Sequence, residues 1–174
     1  QEGFQLAVCQ HQPDYLMVPG FIDTHVHSPQ LDIIGSYGEQ LLDWLNKYTF
    51  PAEARYADVA YAATSAVAFL DSLLDAGTTT ALVFATSHLQ ATDQLFEAAN
   101  EKGMRLIAGK VLMDQNALLE ILDTAVGGIA DSETLINKWH GKGRLGYAIT
   151  PRFAGSSSVQ QLQLAGELHK KYPN

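Results

Sequence analysis

Short apolar segments alternate along this chain with longer amphipathic ones. Four segments rich in apolar and β-branched residues predict buried strands, at 21–26, 78–85, 105–113 and 145–150. In other segments the apolar residues recur every three or four positions, which predicts helices at 38–48, 56–74, 92–102, 117–126, 132–140 and 159–171. Phe50-Pro51 should end the first helix, and Gly127-Gly128 should separate the fourth helix from the fifth.

This regular order of strand and helix predicts an α/β fold made of parallel βαβ units. The predicted strands are almost continuously apolar, which is typical of a sheet whose faces are covered by helices. Four strand–helix units are present, and the ends of such an open sheet would leave two strand edges unpaired.

The most distinctive polar residues lie at the end of the first predicted strand. Asp23, His25 and His27 share one face of that strand, because side chains alternate along an extended chain. Two imidazoles in this arrangement can converge on one divalent metal ion such as Zn²⁺ or Fe²⁺. Histidine pairs at this spacing also occur by chance. The aspartate on the same face and the turn signal at Pro19-Gly20 favour the metal site.

Composition limits the classes of function. The 174 residues include 11 Lys and Arg against 19 Asp and Glu, for a net charge of −8. This balance disfavours nucleic acid as a partner, since phosphate contacts need clustered basic residues, but it permits an uncharged nucleobase. The single cysteine, Cys9, excludes an intrachain disulfide and suits a reducing compartment. With no signal peptide or membrane-spanning apolar run in view, we expect a cytoplasmic protein without a membrane partner.

Four stretches of the chain resemble the guanine deaminase family of the amidohydrolase superfamily. They are PGFIDTHVHSPQ (19–30), LLDWLNKYTFP (41–51), GTTT (77–80) and TPRF (150–153), in the order and spacing of that family. The Asp-x-His-x-His element by itself indicates only the superfamily. The other three together are specific for guanine deaminases, and the resemblance runs from about Met17 to the last residue.

The resemblance implies a partial TIM-like (β/α) barrel. Residues 17–174 would form the first half of an amidohydrolase (β/α)₈ barrel, about four of its eight strand–helix units. Residues 1–16 would be the remnant of an N-terminal β-sandwich, with Phe4, Leu6 and Val8 alternating as in one strand. The family's other metal ligands and its catalytic glutamate would lie beyond Asn174. We therefore expect this chain alone to be inactive and to need a partner, self-association or the missing half to bury its open edges.

For function, the resemblance implies zinc-dependent hydrolysis of guanine to xanthine and ammonia, with iron as another possible metal. His25 and His27 would be metal ligands. In the complete enzyme we expect a homodimer with guanine as its small-molecule partner. Two alternatives stay open: another amidohydrolase acting on a different cyclic amidine or amide, such as a pyrimidine or a chlorinated triazine, and a non-catalytic metal-binding remnant.

Four further residues would bind the substrate. The donor fork of Arg152 suits the O6 and N7 atoms of guanine, Phe153 would stack on the base, and the amide of Gln30 suits a purine edge. The resemblance places Trp44 against the substrate ring. In isolation each has an ordinary interpretation, as a surface Arg, a core Phe, a solvated Gln or a core Trp. The motif match and the positions of Arg152 and Phe153 after a strand favour binding.

Five other residues are weaker candidates. Asp23 would orient a histidine as a neighbour of the metal site. Lys110 is better explained as a buried amphipathic lysine than as a carboxylated metal ligand. His88 follows the second strand and stays unassigned. His140 and His169 lie near helix C-termini and are interpreted as structural.

Overall fold

The computed structural model describes residues 11–173, so the strand predicted at residues 4–8 lies outside the described residues. The strands are β1 (Phe21–His27), β2 (Thr78–Phe84), β3 (Arg105–Gly109), β4 (Val111–Leu112), β5 (Leu145–Tyr147) and β6 (Thr150–Pro151). The α-helices are α1 (Leu41–Trp44), α2 (Phe50–Ala54), α3 (Val59–Asp75), α4 (Leu89–Lys102), α5 (Ala125–Trp139) and α6 (Val159–Lys171). A π-helical turn covers Leu45–Thr49, and 3₁₀ turns cover Ser28–Ile33, Arg55–Ala57 and Leu119–Ile121.

The strands form a parallel sheet in the order β1-β2-β3-β5, and β4 pairs in parallel with β6. The predicted parallel α/β architecture is confirmed. The strand predicted at 105–113 is interrupted and forms β3 and β4. The strand predicted at 145–150 is likewise interrupted and forms β5 and β6. Within the described part of the chain, β1 and β5 are the edges of the larger sheet. In the same part, no single helix is long and apolar enough to span a membrane.

The first interruption brings two backbones unusually close together at Gly109. A Cβ atom on this residue would lie 1.9 Å from the carbonyl oxygen of Ala148. Only glycine therefore permits the approach, and the chain resumes its pairing at Val111.

Lys110 lies at this break with a fully buried side chain. Its Nζ donates to Asp123 Oδ2 at 2.5 Å and lies 3.9 Å from Asp131 Oδ2. Its backbone N–H donates to the hydroxyl of Tyr147 at 3.2 Å. Lys110 is a buried lysine in an ion pair with the residues around the start of α5.

Helix α5 runs without a break through Gly127-Gly128, so the predicted division into two helices is wrong. The Thr124 side chain caps this helix by accepting a hydrogen bond from the Gly127 N–H at 3.0 Å. A Cβ at Gly128 would lie 2.7 Å from Asp123 Oδ2. The glycine thus lets the first turn of α5 pack on the Asp123 carboxylate.

The predicted helix end at Phe50-Pro51 is also wrong, because the helical path continues to Ala54. The turn before the proline is π-helical, covering Leu45–Thr49. A proline has no N–H to donate and clashes with the preceding turn, and a widened π turn is one known way in which a helix accommodates such a disruption. This segment is held by a cluster of buried residues comprising Leu45, Phe50, Val111, Met113 and Ile121.

The buried face of α3 differs from the predicted one. The sequence predicts a buried stripe at 3.6-residue spacing that includes Val59, Val67 and Leu74, but these three residues are exposed. The buried residues are instead Ala62, Ala66, Phe69 and Leu70. The helix is apolar around most of its circumference, so its periodicity does not select a face. The α3, α4, α5 and α6 helices contribute to one core with the sheet, in which Phe96 stacks on Trp139 and Tyr147.

We expect Asp123→Asn to lower the free energy of unfolding by about 3–5 kcal/mol, because it leaves the buried Lys110 ammonium without its closest anion. Asp131→Asn is the matched control, since Asp131 is 36% exposed and farther from the ammonium. We expect the control to cost under about 1 kcal/mol. Urea denaturation monitored by circular dichroism measures both. Equal losses in the two variants would contradict the assigned pairing.

Candidate active site

One cavity of about 750 Å³ lies at the carboxyl end of β1. All six residues proposed from the sequence for the metal and the substrate line it, namely His25, His27, Gln30, Trp44, Arg152 and Phe153. They come from the end of β1, the 3₁₀ turn that follows it, α1, and the residues after β6. Most other lining residues are apolar, among them Val26, Leu31, Ile33, Leu41, Leu45, Phe69 and Phe84. The arrangement is a mostly apolar pocket with a few convergent polar groups, as small-molecule sites usually are.

The two imidazoles of β1 lie side by side in this cavity. Their ring centroids are 5.2 Å apart, and the ring planes make an angle of 62°. Both rings pack against Phe84 at the end of β2, with centroid distances of 5.1 Å for His25 and 4.8 Å for His27. Parallel pairing of β1 with β2 aligns His27 with Phe84, so the phenyl ring supports the pair from one side.

His27 has the properties of a metal ligand. Burial, the Arg152 charge and the His25 charge together lower the pKa of His27 to about 4. Its imidazole is therefore neutral at physiological pH, the form that coordinates metals. Within the described residues the buried Nδ1 atom has no hydrogen-bond partner. A ring nitrogen of this kind fits the donor requirement of Zn²⁺ or Fe²⁺.

Asp23 acts on the backbone rather than on an imidazole. Its Oδ1 accepts a hydrogen bond from the backbone N–H of His25 at 2.9 Å. The register between β1 and β2 shifts between Asp23 and Val26, where this contact lies. The carboxylate thus supports the irregular end of the strand, whereas the sequence suggested that it would orient a histidine.

Across the cavity, Arg152 forms a buried ion pair that the sequence did not predict. Its Nη1 donates to Glu53 Oε2 at 2.5 Å, and the two side chains are only 5% and 2% exposed. The guanidinium carbon also lies 5.3 Å from the centre of the Phe50 ring. Arg152 is therefore not a surface arginine. Burial raises the pKa of Glu53, and the Arg152 charge opposes this rise by favouring the carboxylate.

Sequence reasoning missed Glu53 because Pro51 was expected to end the helix, which placed the glutamate in a loop. The signal that was available is an acidic residue in the otherwise apolar run from Phe50 to Ala54. Phe84 was also missed. As the apolar end of a predicted strand, it could not be distinguished from an ordinary core residue.

The aromatic residues of the cavity differ in their burial. Phe153 is 41% exposed, which excludes the interpretation as a core residue. Trp44 is half-buried, and part of its surface packs against the cluster that holds the π-helical segment. One open aromatic ring and one partly covered ring are therefore available to a flat ligand.

The remaining histidines lie outside the lining of the cavity. His88 immediately precedes α4, where its backbone N–H donates to Thr86 Oγ1 at 3.0 Å. Burial and the Lys110 charge lower the pKa of His88. His140 Nδ1 accepts from the Tyr147 N–H at 3.1 Å, which is a structural role. His169 lies in the last turn of α6.

The described residues do not form a complete metal site by themselves. In the range 11–173, no group of three or more His, Cys, Asp or Glu side chains is placed to hold a metal ion. Zinc sites use three or four protein ligands. His25 and His27 thus fit as two members of a larger ligand set.

The sequence matches a known protein family. The sequence model of the amidohydrolase family matches residues 16–174, which is nearly the whole chain. The chain belongs to the amidohydrolase family. The matched region includes β1 with its two histidines and all the residues that line the cavity.

Several guanine deaminases are similar to this chain. The enzyme of Escherichia coli K12 is 56% identical over 159 residues, which cover 91% of this chain and 36% of that protein. A solved structure of E. coli guanine deaminase, also 56% identical, has a TM-score of 0.88, and the match covers 90% of this chain and 36% of that one. The probable guanine deaminase of Deinococcus radiodurans is 45% identical over the same shares of the two chains. This chain therefore spans about 36% of the length of the curated relatives it matches.

A solved structure that contains bound guanine is also similar to this chain. The guanine deaminase of C. acetobutylicum, solved with guanine bound in its active site, is 35% identical and has a TM-score of 0.87. The superposition covers 90% of this chain and 38% of that one. The similarity to guanine deaminases thus holds in sequence and in backbone structure.

We expect the metal-free protein to lose stability as the pH falls from about 6.5 to about 4. An unfolded His27 binds a proton near its ordinary pKa of 6.5, whereas the folded residue binds one only near 4, so protons favour unfolding in this window. His27→Gln should reduce the pH dependence of the unfolding free energy. His11→Gln, at an exposed position, is the control. Identical pH profiles for the parent and His27→Gln proteins would show that His27 is not the responsible group.

Proposed function

We propose that the full-length protein is a zinc-dependent guanine deaminase, which hydrolyses guanine to xanthine and ammonia. The observation that supports this most directly is the shared cavity, where the two candidate metal ligands, His25 and His27, lie with a buried arginine and an open aromatic ring. The similarity to guanine deaminases over about a third of their length points in the same direction.

His25 and His27 would contribute two ligands to the metal, for which zinc is the first choice and iron the alternative. Such a metal would supply a water molecule that loses its proton near neutral pH. The protein's own contribution starts with the neutral form of His27, which burial and the nearby Arg152 charge maintain. Phe84 keeps both rings in place by packing against them. The proton-transferring carboxylate that the resemblance implies is not assigned to any residue of this chain.

The substrate contacts follow from the character of each lining residue. Arg152 would donate to O6 and N7 of guanine, because a guanidinium presents several N–H groups in one plane. The Gln30 amide can donate and accept at a purine edge. Phe153 and Trp44 would contact the faces of the base, and the apolar wall would exclude water from it. The positive charge of Arg152 would stabilise negative charge that develops on O6 during attack at C2.

We propose further that the protein acts in the cytoplasm, on free guanine rather than on nucleic acid, and as a homodimer. The single cysteine supports the cytoplasm, and the net charge of −8 supports free guanine over nucleic acid. The homodimer rests on the resemblance alone. Sedimentation equilibrium of the full-length protein tests it, and a monomer at micromolar concentration would contradict it.

We expect Arg152→Ala in the full-length protein to reduce kcat/KM for guanine by about a hundredfold or more, because charged hydrogen bonds to the purine are lost. The release of ammonia or the absorbance change on xanthine formation measures this. Arg144→Ala is the control, since Arg144 is exposed and, among the described residues, its side chain bonds only to the backbone carbonyl of Gly103. An unchanged kcat/KM for guanine in Arg152→Ala would contradict the proposed contact between Arg152 and the purine.

We expect the double variant His25→Ala/His27→Ala to lose both bound zinc and guanine turnover, because the two imidazoles are the metal donors that this chain would supply. Zinc content measured by plasma mass spectrometry provides a readout that does not depend on activity. His169→Ala, near the end of α6, is the control and should retain the metal. Full zinc occupancy in the double variant would place the metal elsewhere.

A further inference from the structure

Glu53 is the buried charged residue whose role the proposed function leaves unexplained. It is 1% exposed and lies on α2 behind the wall of the cavity, whose lining includes Arg152 but not Glu53 itself. Any influence on a ligand must therefore pass through the residues it touches.

Burying a carboxylate is unfavourable unless its charge is compensated. Here the compensation comes from Arg152, whose Nη1 binds Oε2. The other oxygen, Oε1, has no hydrogen-bond partner among the residues that the structure describes. Such a partly satisfied pair is weak evidence for a stabilising role.

The contacts of Arg152 instead indicate that Glu53 fixes the orientation of its guanidinium group. Glu53 holds one terminal nitrogen of the guanidinium, and the Phe50 ring lies 5.3 Å from its central carbon. An arginine side chain has several rotatable bonds, so it would otherwise adopt many orientations. With one nitrogen engaged, the remaining N–H groups are left for the cavity that Arg152 lines.

We propose that Glu53 is a positioning residue, which holds Arg152 in the orientation that selects a purine with an oxygen at C6. The inference rests on the proposed function. It assigns to Glu53 the discrimination between guanine and an analogue without that oxygen. A purine without the C6 oxygen would leave buried N–H groups of Arg152 without a partner, which is unfavourable. The discrimination therefore depends on how rigidly Arg152 is held, since a mobile side chain could find another partner.

The experiment compares Glu53→Gln, Glu53→Asp and the parent full-length protein, with guanine and 2-aminopurine as substrates. 2-Aminopurine keeps the amino group at C2 but has no oxygen at C6. For Glu53→Gln we expect KM for guanine to rise by about tenfold or more, with a smaller change in kcat. In the same variant, the ratio of kcat/KM for guanine to kcat/KM for 2-aminopurine should fall. Glu53→Asp keeps the charge and should restore part of the preference.

Glu39→Gln is the matched control for the loss of a carboxylate. Glu39 pairs with Lys47 near the same helical segment, but its side chain is 36% exposed and it does not line the cavity. We expect its kinetic constants and its guanine preference to equal those of the parent protein. A purely structural effect of Glu53→Gln would lower the amount of folded enzyme and leave KM and the preference unchanged.

A second readout does not require activity. Phenylglyoxal modifies free guanidinium groups, and peptide mass spectrometry locates the modified arginine. Glu53→Gln should speed modification at Arg152, while Arg144 serves as the internal reference. If Glu53→Gln does not yield folded protein, the same measurements on Glu53→Asp decide.

The outcomes separate the two proposals. If the parent protein does not deaminate guanine, the proposed function fails, and the modification rate of Arg152 still tests the positioning role. If the parent protein is active but Glu53→Gln keeps its KM, its guanine preference and its slow Arg152 modification, the positioning role is wrong. A faster modification together with a lost preference supports it.

Discussion

Parallel pairing of the strands is the constraint on which the candidate site depends. Because β1, β2, β3 and β5 run in the same direction, their carboxyl ends meet at one edge of the sheet. His27 and Phe84 are aligned there by the register of β1 with β2. The pairing of β4 with β6 brings Arg152 to the same edge from much later in the chain. A shift of register by one residue would turn the histidines away from the cavity.

Two buried basic side chains, Lys110 and Arg152, are each compensated by an ion pair with a carboxylate. Lys110 is paired with Asp123 beneath α5, and Arg152 is paired with Glu53 behind the cavity. Each pair joins a strand end to a helical segment that lies next to it in space. The first pair lies outside the lining of the cavity, whereas the second has one member inside it. That difference is the physical reason for giving Glu53, and not Asp123, a role in binding.

Local irregularities make these contacts possible. Gly109 lets two backbones approach where β3 ends, and Gly128 lets α5 pack on Asp123. The π-helical turn at Leu45–Thr49 carries the helical path past Pro51 to Glu53. The break after Gly109 and the π-helical turn each interrupt a regular element where a close contact is formed, whereas α5 continues unbroken through Gly128. Bulges and π turns of this kind are frequent near functional sites.

The order of strands and helices was determined by the sequence alone, because apolar periodicity reflects which faces are buried. The four stretches that resemble the guanine deaminase family, at 19–30, 41–51, 77–80 and 150–153, likewise indicated all six candidate residues of the cavity. Tertiary structure alone decided the continuity of α5 through two glycines, the helical path past Pro51 and the buried face of α3. It also decided the Arg152–Glu53 pair, since a contact between residues 99 positions apart leaves no trace in local pattern. Local propensity describes neighbours along the chain, whereas packing and ion pairing depend on neighbours in space.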